Sequence, residues 1–166
     1  LGNCGGTQML GQELVDPQGL EGGGPSRETG LGLLPLHTIF TDNKALRQRS
    51  SAARWPQGNS PLQLEGFELH CGRTTSSAPC EPLCDGEGLG WAKHVGEDGG
   101  LVAGTYLHGV FENGPWRRRW LNQLRAHKKL PLLSEQQPHH SRQREALLDR
   151  LADAFEEHIN LEPLLR

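Results

Sequence analysis

Apolar and polar residues alternate in several short stretches in the middle of the chain. Between Leu62 and His70 the apolar side chains recur at nearly every second position, and Gly66 permits a bulge or a break between two strands. The segments 91–95 and 101–107 also have strand character, and the polar turn between them predicts a hairpin. A further strand is predicted over residues 36–40.

Three other stretches follow the helical period, and they are residues 6–14, 115–127 and 141–159. The second of these helices has a proline near its first position, where proline is tolerated. The arginines at positions 117–119 are assigned to its solvated side. Ser141 is expected to cap the last helix, because a hydroxyl at that position can accept a backbone N–H.

Two long stretches show neither period. Residues 19–30 are rich in glycine and are predicted to form a loop. Residues 42–61 are predicted to be polar and irregular, with one short strand near residues 52–55. The chain contains 22 glycines and 11 prolines, and only 34% of its residues are hydrophobic. Either the loops are long, or part of the hydrophobic core lies outside this sequence.

The charge of the 166-residue chain indicates no strongly charged partner. It carries 17 basic and 20 acidic residues and a net charge of -3, so neither nucleic acid nor a membrane is expected as a partner. No apolar run reaches membrane-spanning length, and no signal-peptide pattern is present. A cytoplasmic location is therefore expected.

The chain has four cysteines, and they are Cys4, Cys71, Cys80 and Cys84. In a cytoplasmic protein they are expected to be reduced. Cys80 and Cys84 could form part of a metal site together with His70 or Cys71, but the spacing is loose and no second tight pair exists. The favoured interpretation is a proline-containing loop with incidental thiols, and no metal is expected.

The first ten residues place Cys4 between glycines and directly before a helix-forming run. This is the arrangement of a nucleophile elbow, in which a strand ends, the chain turns sharply and a helix begins. Gly2 and Gly5 are expected to relieve crowding beside the thiol, and Met9 is expected on the inner side of the helix. Free N–H groups at the helix start favour a thiolate and can hold an oxyanion. An elbow requires a preceding strand, yet only three residues precede Cys4.

A cysteine at an elbow needs a base, and His108 is the best candidate. It stands at the end of an apolar strand, and sites in α/β sheets are built where strands end. Its imidazole could take the thiol proton and later protonate a leaving amine. Alone, His108 would more often be a histidine satisfied by a backbone carbonyl. His70 could line the same cleft, and Gln8 lies close enough to hydrogen-bond a group held over the sulfur, although a surface position is the alternative.

Several segments, in this order along the chain, resemble class I glutamine amidotransferase domains of the branch found in cobyric acid synthases. They are residues 2–11, 28–35, 66–74 and 104–111, followed by the helix at 120–125. Together they span nearly the whole chain and are far more specific than one glycine motif. The resemblance implies a flavodoxin-like α/β fold with a mixed sheet and helices on both faces. Residues 1–166 are then a partial amidotransferase domain that starts at the elbow and lacks its first strands.

In that family the cysteine attacks the side-chain amide of glutamine, ammonia leaves, and water hydrolyses the glutamyl thioester. The resemblance implies that Cys4 is the nucleophile and His108 the base. It also implies that the N–H of Gly5 is an oxyanion donor and that Gln8 binds the substrate. Ammonia would pass to a separate synthetase domain, where ATP and Mg²⁺ activate peripheral carboxylates of a corrinoid in cobalamin synthesis. No cofactor is expected in this chain itself.

The chain departs from the family pattern in two respects. Many members place a glutamate two residues after the histidine, but here that position is Val110. The orienting carboxylate is then absent or comes from Glu112, Glu68 or a partner domain. The synthetase domain and the first strands are also missing, so the isolated chain is expected to expose apolar edges and to be poorly stable.

Two other functions stay open at this point. The first is an amidotransferase subunit that acts on a cell-wall lipid precursor, which shares the elbow. The segment 72–74 and the helix at 120–122 favour the corrinoid branch over it. The second is a fragment that is inactive alone and keeps only a docking surface. A cysteine peptidase is more distant, because no peptide-binding motif is present.

Overall fold

The computed structural model describes residues 1–96 and 100–159, which belong to two compact units. The first unit, Leu1–Val110, contains two mixed β-sheets and one helix, and the second begins at Phe111 and is helical. The α/β class predicted from the sequence is confirmed. The strands are distributed over two sheets, where one had been expected.

The first sheet is built around a hairpin and has the strand order β1-β8-β7-β6. Its strands are β1 (Gly2–Asn3), β6 (Glu81–Pro82), β7 (Gly90–Val95) and β8 (Gly100–Thr105). Strand β1 runs parallel to β8, and the other pairs are antiparallel. The pairing of β7 with β8 confirms the predicted hairpin, whose turn residues 97–99 lie outside the described residues. A two-residue strand therefore precedes Cys4.

The second sheet has the order β3-β2-β4-β5-β9. Its strands are β2 (Glu13–Asp16), β3 (Ser26–Thr29), β4 (Leu36–Ala52), β5 (Gln63–Ser76) and β9 (Leu107–His108). Only the β2–β4 pair is parallel among these described ladders. The long β4–β5 ladder changes register between Ile39 and Lys44, which marks a bulge or irregularity.

Two predictions of irregular structure were wrong. Strand β4 continues through Ala52, although residues 42–61 carry no apolar alternation, and strand β3 lies within the predicted loop 19–30. Nearly all side chains of β3 and of the second half of β4 are exposed or half-buried. A strand with no buried face has no reason to alternate in polarity, so its sequence resembles that of a loop.

Helix α1 (Gly5–Leu10) begins directly after Cys4 and is shorter than predicted. It ends at Leu10, because the backbone of the cap residue Gly11 is extended and the N–H of Gln12, just before β2, donates to the Leu36 carbonyl at 2.7 Å. The predicted inner position of Met9 was also wrong, since Met9 is exposed and the helix buries Thr7 and Gln8 instead.

The core of the first unit lies between these elements. Its fully buried apolar side chains include Leu34, Leu36, Leu64, Leu83, Leu89, Tyr106 and Leu107. Helix α1 approaches strand β8 so closely that a Cβ on Gly104 would lie 2.6 Å from Thr7. A Cβ on Gly2 would lie 2.6 Å from the Gly6 backbone, as the elbow requires. The crowding expected at Gly5 was wrong, because the nearest atom to a Cβ at that position is 4.0 Å away.

The second unit contains helices α2 (Gly114–His127) and α3 (His140–His158), which confirms both predicted helices to within one residue at their starts and ends. The assignment of Arg119 to the solvated side was wrong. Arg119 is buried and donates to the Glu135 carboxylate at 2.8 Å. Asn122 exchanges two hydrogen bonds with the Leu133 backbone, so the connector after α2 is held along that helix.

The predicted cap of α3 was also wrong. His139 occupies the cap position, and Ser141 lies in the first turn, where its hydroxyl is 2.8 Å from the His139 ring. The apolar side chains of α3, such as Leu151 and Phe155, are exposed. Within residues 1–96 and 100–159, no helix combines the length and apolar character needed to cross a membrane.

The close approach at Gly2 predicts that Gly2→Ala destabilises the chain by roughly 1–3 kcal/mol, because the new methyl group overlaps backbone atoms that cannot move freely. Urea denaturation followed by circular dichroism measures this loss. Gly6→Ala is the matched control, since nothing lies within 4 Å of its Cβ position. Alanine also favours a helix there. Equal unfolding midpoints for the two variants would contradict the packing of the elbow.

Candidate functional site

Cys4 stands at the tip of a strained turn between strand β1 and helix α1. Its backbone has φ 52° and ψ -118°, a left-handed conformation that residues other than glycine rarely adopt. The N–H of Cys4 donates to the Thr105 carbonyl at 3.0 Å, which continues the β1–β8 pairing. The Thr7 hydroxyl lies 2.9 Å from the same carbonyl and 3.2 Å from that of Gly2. These bonds hold the strained turn in place.

The thiol of Cys4 and the ring of His108 meet at one backbone oxygen. Cys4 Sγ lies 3.4 Å from the Leu69 carbonyl oxygen, and His108 Nε2 lies 3.0 Å from the same atom. A carbonyl only accepts, so Nε2 carries a proton in this arrangement and the thiol is a second, weaker donor. The two residues that the sequence singled out as nucleophile and base are thus brought to the same point of strand β5.

Strand β9 carries His108 to this point by pairing with β5. Phe67 lies opposite His108 in the ladder, and the two rings stack with centroids 5.0 Å apart. A Cβ on Gly66 would overlap the His108 carbonyl oxygen, so glycine is needed for the close approach of β9. Neither the bulge nor the break that Gly66 permits is formed, since β5 runs through this residue without a change of register.

His70 lies beside the thiol and is held at both ring nitrogens. Its Nε2 lies 3.0 Å from Glu68 Oε1, and its Nδ1 lies 3.1 Å from the Gly72 carbonyl. The two partners hold opposite sides of the ring. The ring also stacks on buried Tyr106 with a centroid separation of 3.9 Å. His70 is therefore fixed in orientation.

Glu68 binds His70 and Arg49, and it makes no described contact with His108. Its Oε2 accepts from Arg49 Nε at 2.8 Å. Burial raises the pKa of Glu68, but the hydrogen bonds from His70 and Arg49 outweigh burial, so the pKa lies below its ordinary value of 4.5. No carboxylate is hydrogen-bonded to the ring of His108 in the described part of the chain. Val110, the position of the family's glutamate, is buried.

Gln8 is buried behind the thiol, which removes the alternative of a solvated surface position. Its Nε2 donates to the Cys71 carbonyl at 3.2 Å. Burial raises the pKa of the nearby Tyr106 hydroxyl, although hydrogen bonds with Thr74 and Gln8 act in the opposite direction. Gly5 opens helix α1, and the first N–H groups of a helix have no partner within it.

Cys4, Gln8 and His70 border a cavity of about 370 Å³, within the usual size range of small-molecule sites, whereas His108 is not among the residues that line it. It is lined by Cys4, Gly5, Gln8, Glu21, Phe40, Lys44, Leu69, His70 and Cys71. The sequence reasoning missed Glu21, Phe40, Lys44 and the carbonyl of Leu69. Lys44 belongs to the part of β4 that was predicted to be irregular, and a carbonyl leaves no trace in a sequence.

No group of three metal-binding side chains is present within the described ranges, 1–96 and 100–159. The four cysteines are free thiols, and Cys84 is fully buried. Burial raises the pKa of the Cys84 thiol. The possible combination of Cys80 and Cys84 with His70 or Cys71 is therefore not assembled in this structure.

The low pKa of Glu68 predicts a pH-dependent stability. The ionised carboxylate stabilises the fold above its ordinary pKa of 4.5, and this contribution is lost as the pH falls through the lower value of the folded chain. Glu68→Gln should reduce the unfolding free energy at pH 7 by roughly 1–3 kcal/mol. It should also lose less stability than the wild type between about pH 5 and about pH 3.

Urea denaturation at several pH values measures both effects. Glu87→Gln removes an exposed carboxylate and should keep the wild-type pH profile. If Glu68→Gln and Glu87→Gln gave the same profile, the stabilising contribution of Glu68 would be refuted.

Residues 1–116 match the CobB/CobQ-like glutamine amidotransferase domain family. The chain is 71% identical over 170 residues to a cobyric acid synthase of Synechococcus sp. strain CC9311, covering 99% of this chain and 34% of the relative. It is 65% identical over 168 residues to the cobyric acid synthase of Synechococcus sp. strain WH7803. It is 49% identical over 172 residues to that of Prochlorococcus marinus strain MIT 9313. Both alignments cover 99% of this chain and 34% of the relative.

The chain thus spans about a third of the length of the curated relatives it matches. The family match covers the elbow, the long β4–β5 ladder and the strand with His108. The resemblance noted in the sequence is confirmed: the chain belongs to the CobB/CobQ-like glutamine amidotransferase domain family.

Proposed function

We propose that this chain releases ammonia from glutamine, with Cys4 as the nucleophile and His108 as the base. The observation that carries the proposal is the convergence of Cys4 Sγ and His108 Nε2 on the Leu69 carbonyl, at an elbow with φ 52°. A thiol and an imidazole within reach of one atom form the pair that thioester chemistry requires. The family match supports glutamine as the amide substrate.

In this scheme the Cys4 proton passes to His108, and the thiolate attacks the side-chain carbonyl carbon of glutamine. In the described arrangement Nε2 carries the ring proton and donates to the Leu69 carbonyl, so this arrangement is a resting one. Before the transfer this bond breaks and the ring takes the tautomer with its proton on Nδ1, which leaves Nε2 free to accept the thiol proton. The oxyanion of the tetrahedral intermediate accepts a hydrogen bond from the N–H of Gly5. His108 returns the proton to the leaving nitrogen, and ammonia departs. Water then cleaves the thioester to glutamate and the free thiol.

Gln8 and Glu68 have supporting roles in the scheme. Gln8 is anchored through its Nε2 to the Cys71 carbonyl, and its Oε1 is the nearest atom to the Cβ position of Gly5. That oxygen can accept from the amide nitrogen of the substrate close to the oxyanion donor. Glu68 keeps His70 against the cavity wall and leaves His108 to be positioned by Phe67 and Leu69.

At the level of the whole protein, we propose that the ammonia serves a cobyric acid synthase. The names of the most similar relatives support this, and their greater length leaves room for an ATP- and Mg²⁺-dependent synthetase domain. That domain would amidate peripheral carboxylates of a corrinoid in cobalamin biosynthesis. These relatives favour the corrinoid role over the cell-wall lipid alternative.

Cys4→Ala should abolish glutamine hydrolysis by this chain, because no thioester can form. In the full-length enzyme the same change should abolish amidation from glutamine and preserve amidation from added ammonia. Glutamate release and corrinoid mass measure the two outcomes. Equal loss with both nitrogen sources would refute the assigned role of Cys4. A wild-type chain that neither hydrolyses glutamine nor reacts at Cys4 with an alkylating glutamine analogue would be an inactive fragment.

His108→Gln should lower kcat by roughly 10²- to 10⁴-fold, as expected for the loss of a general base. The exposed His94 on strand β7 provides the matched control, and His94→Gln should keep the wild-type kcat. Steady-state kinetics of glutamate release compares the two variants. A His108→Gln variant with undiminished kcat would exclude this ring as the base.

A further inference from the structure

Besides the thiols, three ionisable side chains line the cavity next to Cys4. Two of them form no ion pair with another described residue. His70 is engaged by Glu68 and Gly72. Glu21 and Lys44 carry opposite charges and line the same cavity. Neither takes part in an ion pair within residues 1–96 and 100–159. Both charges are therefore available to a ligand.

Glu21 is held at the cavity although it lies in a glycine-rich loop. The buried carboxylate of Asp16 accepts the N–H of Glu21 at 2.8 Å and the N–H of Leu20 at 2.9 Å. The hydrogen bond from Glu21 is the main reason why the pKa of Asp16 lies below its ordinary value. The loop is thus tied to the end of strand β2 through its backbone, which leaves the Glu21 side chain free to face a ligand.

Lys44 is held by a different element. It stands where strand β4 resumes pairing after the register shift, and it lies opposite Cys71 in the β4–β5 ladder. The Cys71 carbonyl is also the acceptor for Gln8 Nε2. The backbone of Lys44 is therefore held through the ladder against the same residue that positions Gln8, and its side chain lines the cavity.

A free α-amino acid carries a carboxylate and an ammonium group on one carbon. The ammonium group of Lys44 and the carboxylate of Glu21 carry the opposite charges. We infer that Glu21 and Lys44 form a charge clamp that binds the α-ammonium and the α-carboxylate of free glutamine while its side-chain amide faces Cys4. The inference rests on the proposed function and adds a determinant of substrate class. The clamp selects a free amino acid over a glutamine whose α-groups are blocked or peptide-linked.

The clamp can be tested by binding and by hydrolysis. Calorimetric titration of glutamine into the Cys4→Ala chain measures affinity without turnover. Lys44→Met and Glu21→Gln should each weaken binding by roughly 5- to 20-fold, the range between an exposed and a partly desolvated charge contact. In the chain that keeps Cys4, the same two substitutions should raise the KM for glutamine hydrolysis by a similar factor. They should change kcat by less than twofold. Lys93→Met and Glu87→Gln, which remove exposed charges elsewhere, are the matched controls.

Two blocked substrates assign each charge. N-acetylglutamine lacks the ammonium group, so Glu21→Gln should not weaken its binding further, whereas Lys44→Met should. Glutamine α-amide lacks the carboxylate, so its binding should respond to Glu21→Gln and not to Lys44→Met. Sensitivity of both blocked substrates to both changes would show a general effect on the cavity and would overturn the clamp.

The outcomes separate this inference from the proposed function. If glutamine binds the Cys4→Ala chain with the charge dependence above while the wild-type chain does not hydrolyse it, the proposed function fails and the clamp stands. If the wild-type chain hydrolyses glutamine and both clamp variants keep wild-type KM, the clamp fails and the proposed function stands. Absence of glutamine binding to the Cys4→Ala chain would overturn the clamp directly.

Discussion

The left-handed backbone at Cys4 is the constraint on which the site depends. A residue other than glycine in this conformation costs roughly 1–3 kcal/mol, and it persists only where the surroundings hold it. Here the Thr105 carbonyl accepts from both the Cys4 N–H and the Thr7 hydroxyl. The glycines at positions 2 and 104 let helix α1 approach the first sheet closely enough for these bonds to form. The strain and the packing around it place the thiol at the end of a very short strand.

The two sheets of the first unit contribute different halves of the site. The first sheet supplies Cys4 through the β1–β8 pairing. The second supplies His108 and His70 through strands β9 and β5. Leu69 joins the two, because its carbonyl contacts both the thiol and the imidazole. The separation of the thiol and the imidazole is thus set by how the sheets meet, and by the glycine at position 66 that lets β9 approach.

Features with a local signal could be predicted from the sequence, and features that depend on distant partners could not. The helices at 114–127 and 140–158 have their own apolar period, and the thiol between glycines marks the elbow by itself. The second half of strand β4 has no buried face, so its residues resemble a loop. Arg119 resembles a surface arginine in sequence, and its burial depends on pairing with the distant Glu135.

The same distinction applies inside the site. Cys4, Gln8 and His108 are recognisable by residue type and position, although their catalytic and binding roles stay predictions. The engagement of Glu68 with His70 and Arg49 depends on a ladder between β4 and β5 that the sequence did not reveal.

The oxygen shared by the thiol and the imidazole belongs to the main chain, and this affects how the site can be studied. Every amino acid at position 69 supplies the same carbonyl, so a scan of substitutions there reports on the leucine side chain and the cavity that it lines, and not on this oxygen. Sequence variation among relatives is equally uninformative about this atom. Replacing the amide bond after Leu69 with an ester would weaken the carbonyl as an acceptor, and chemical synthesis of the backbone is therefore the direct way to alter the point where the two groups meet.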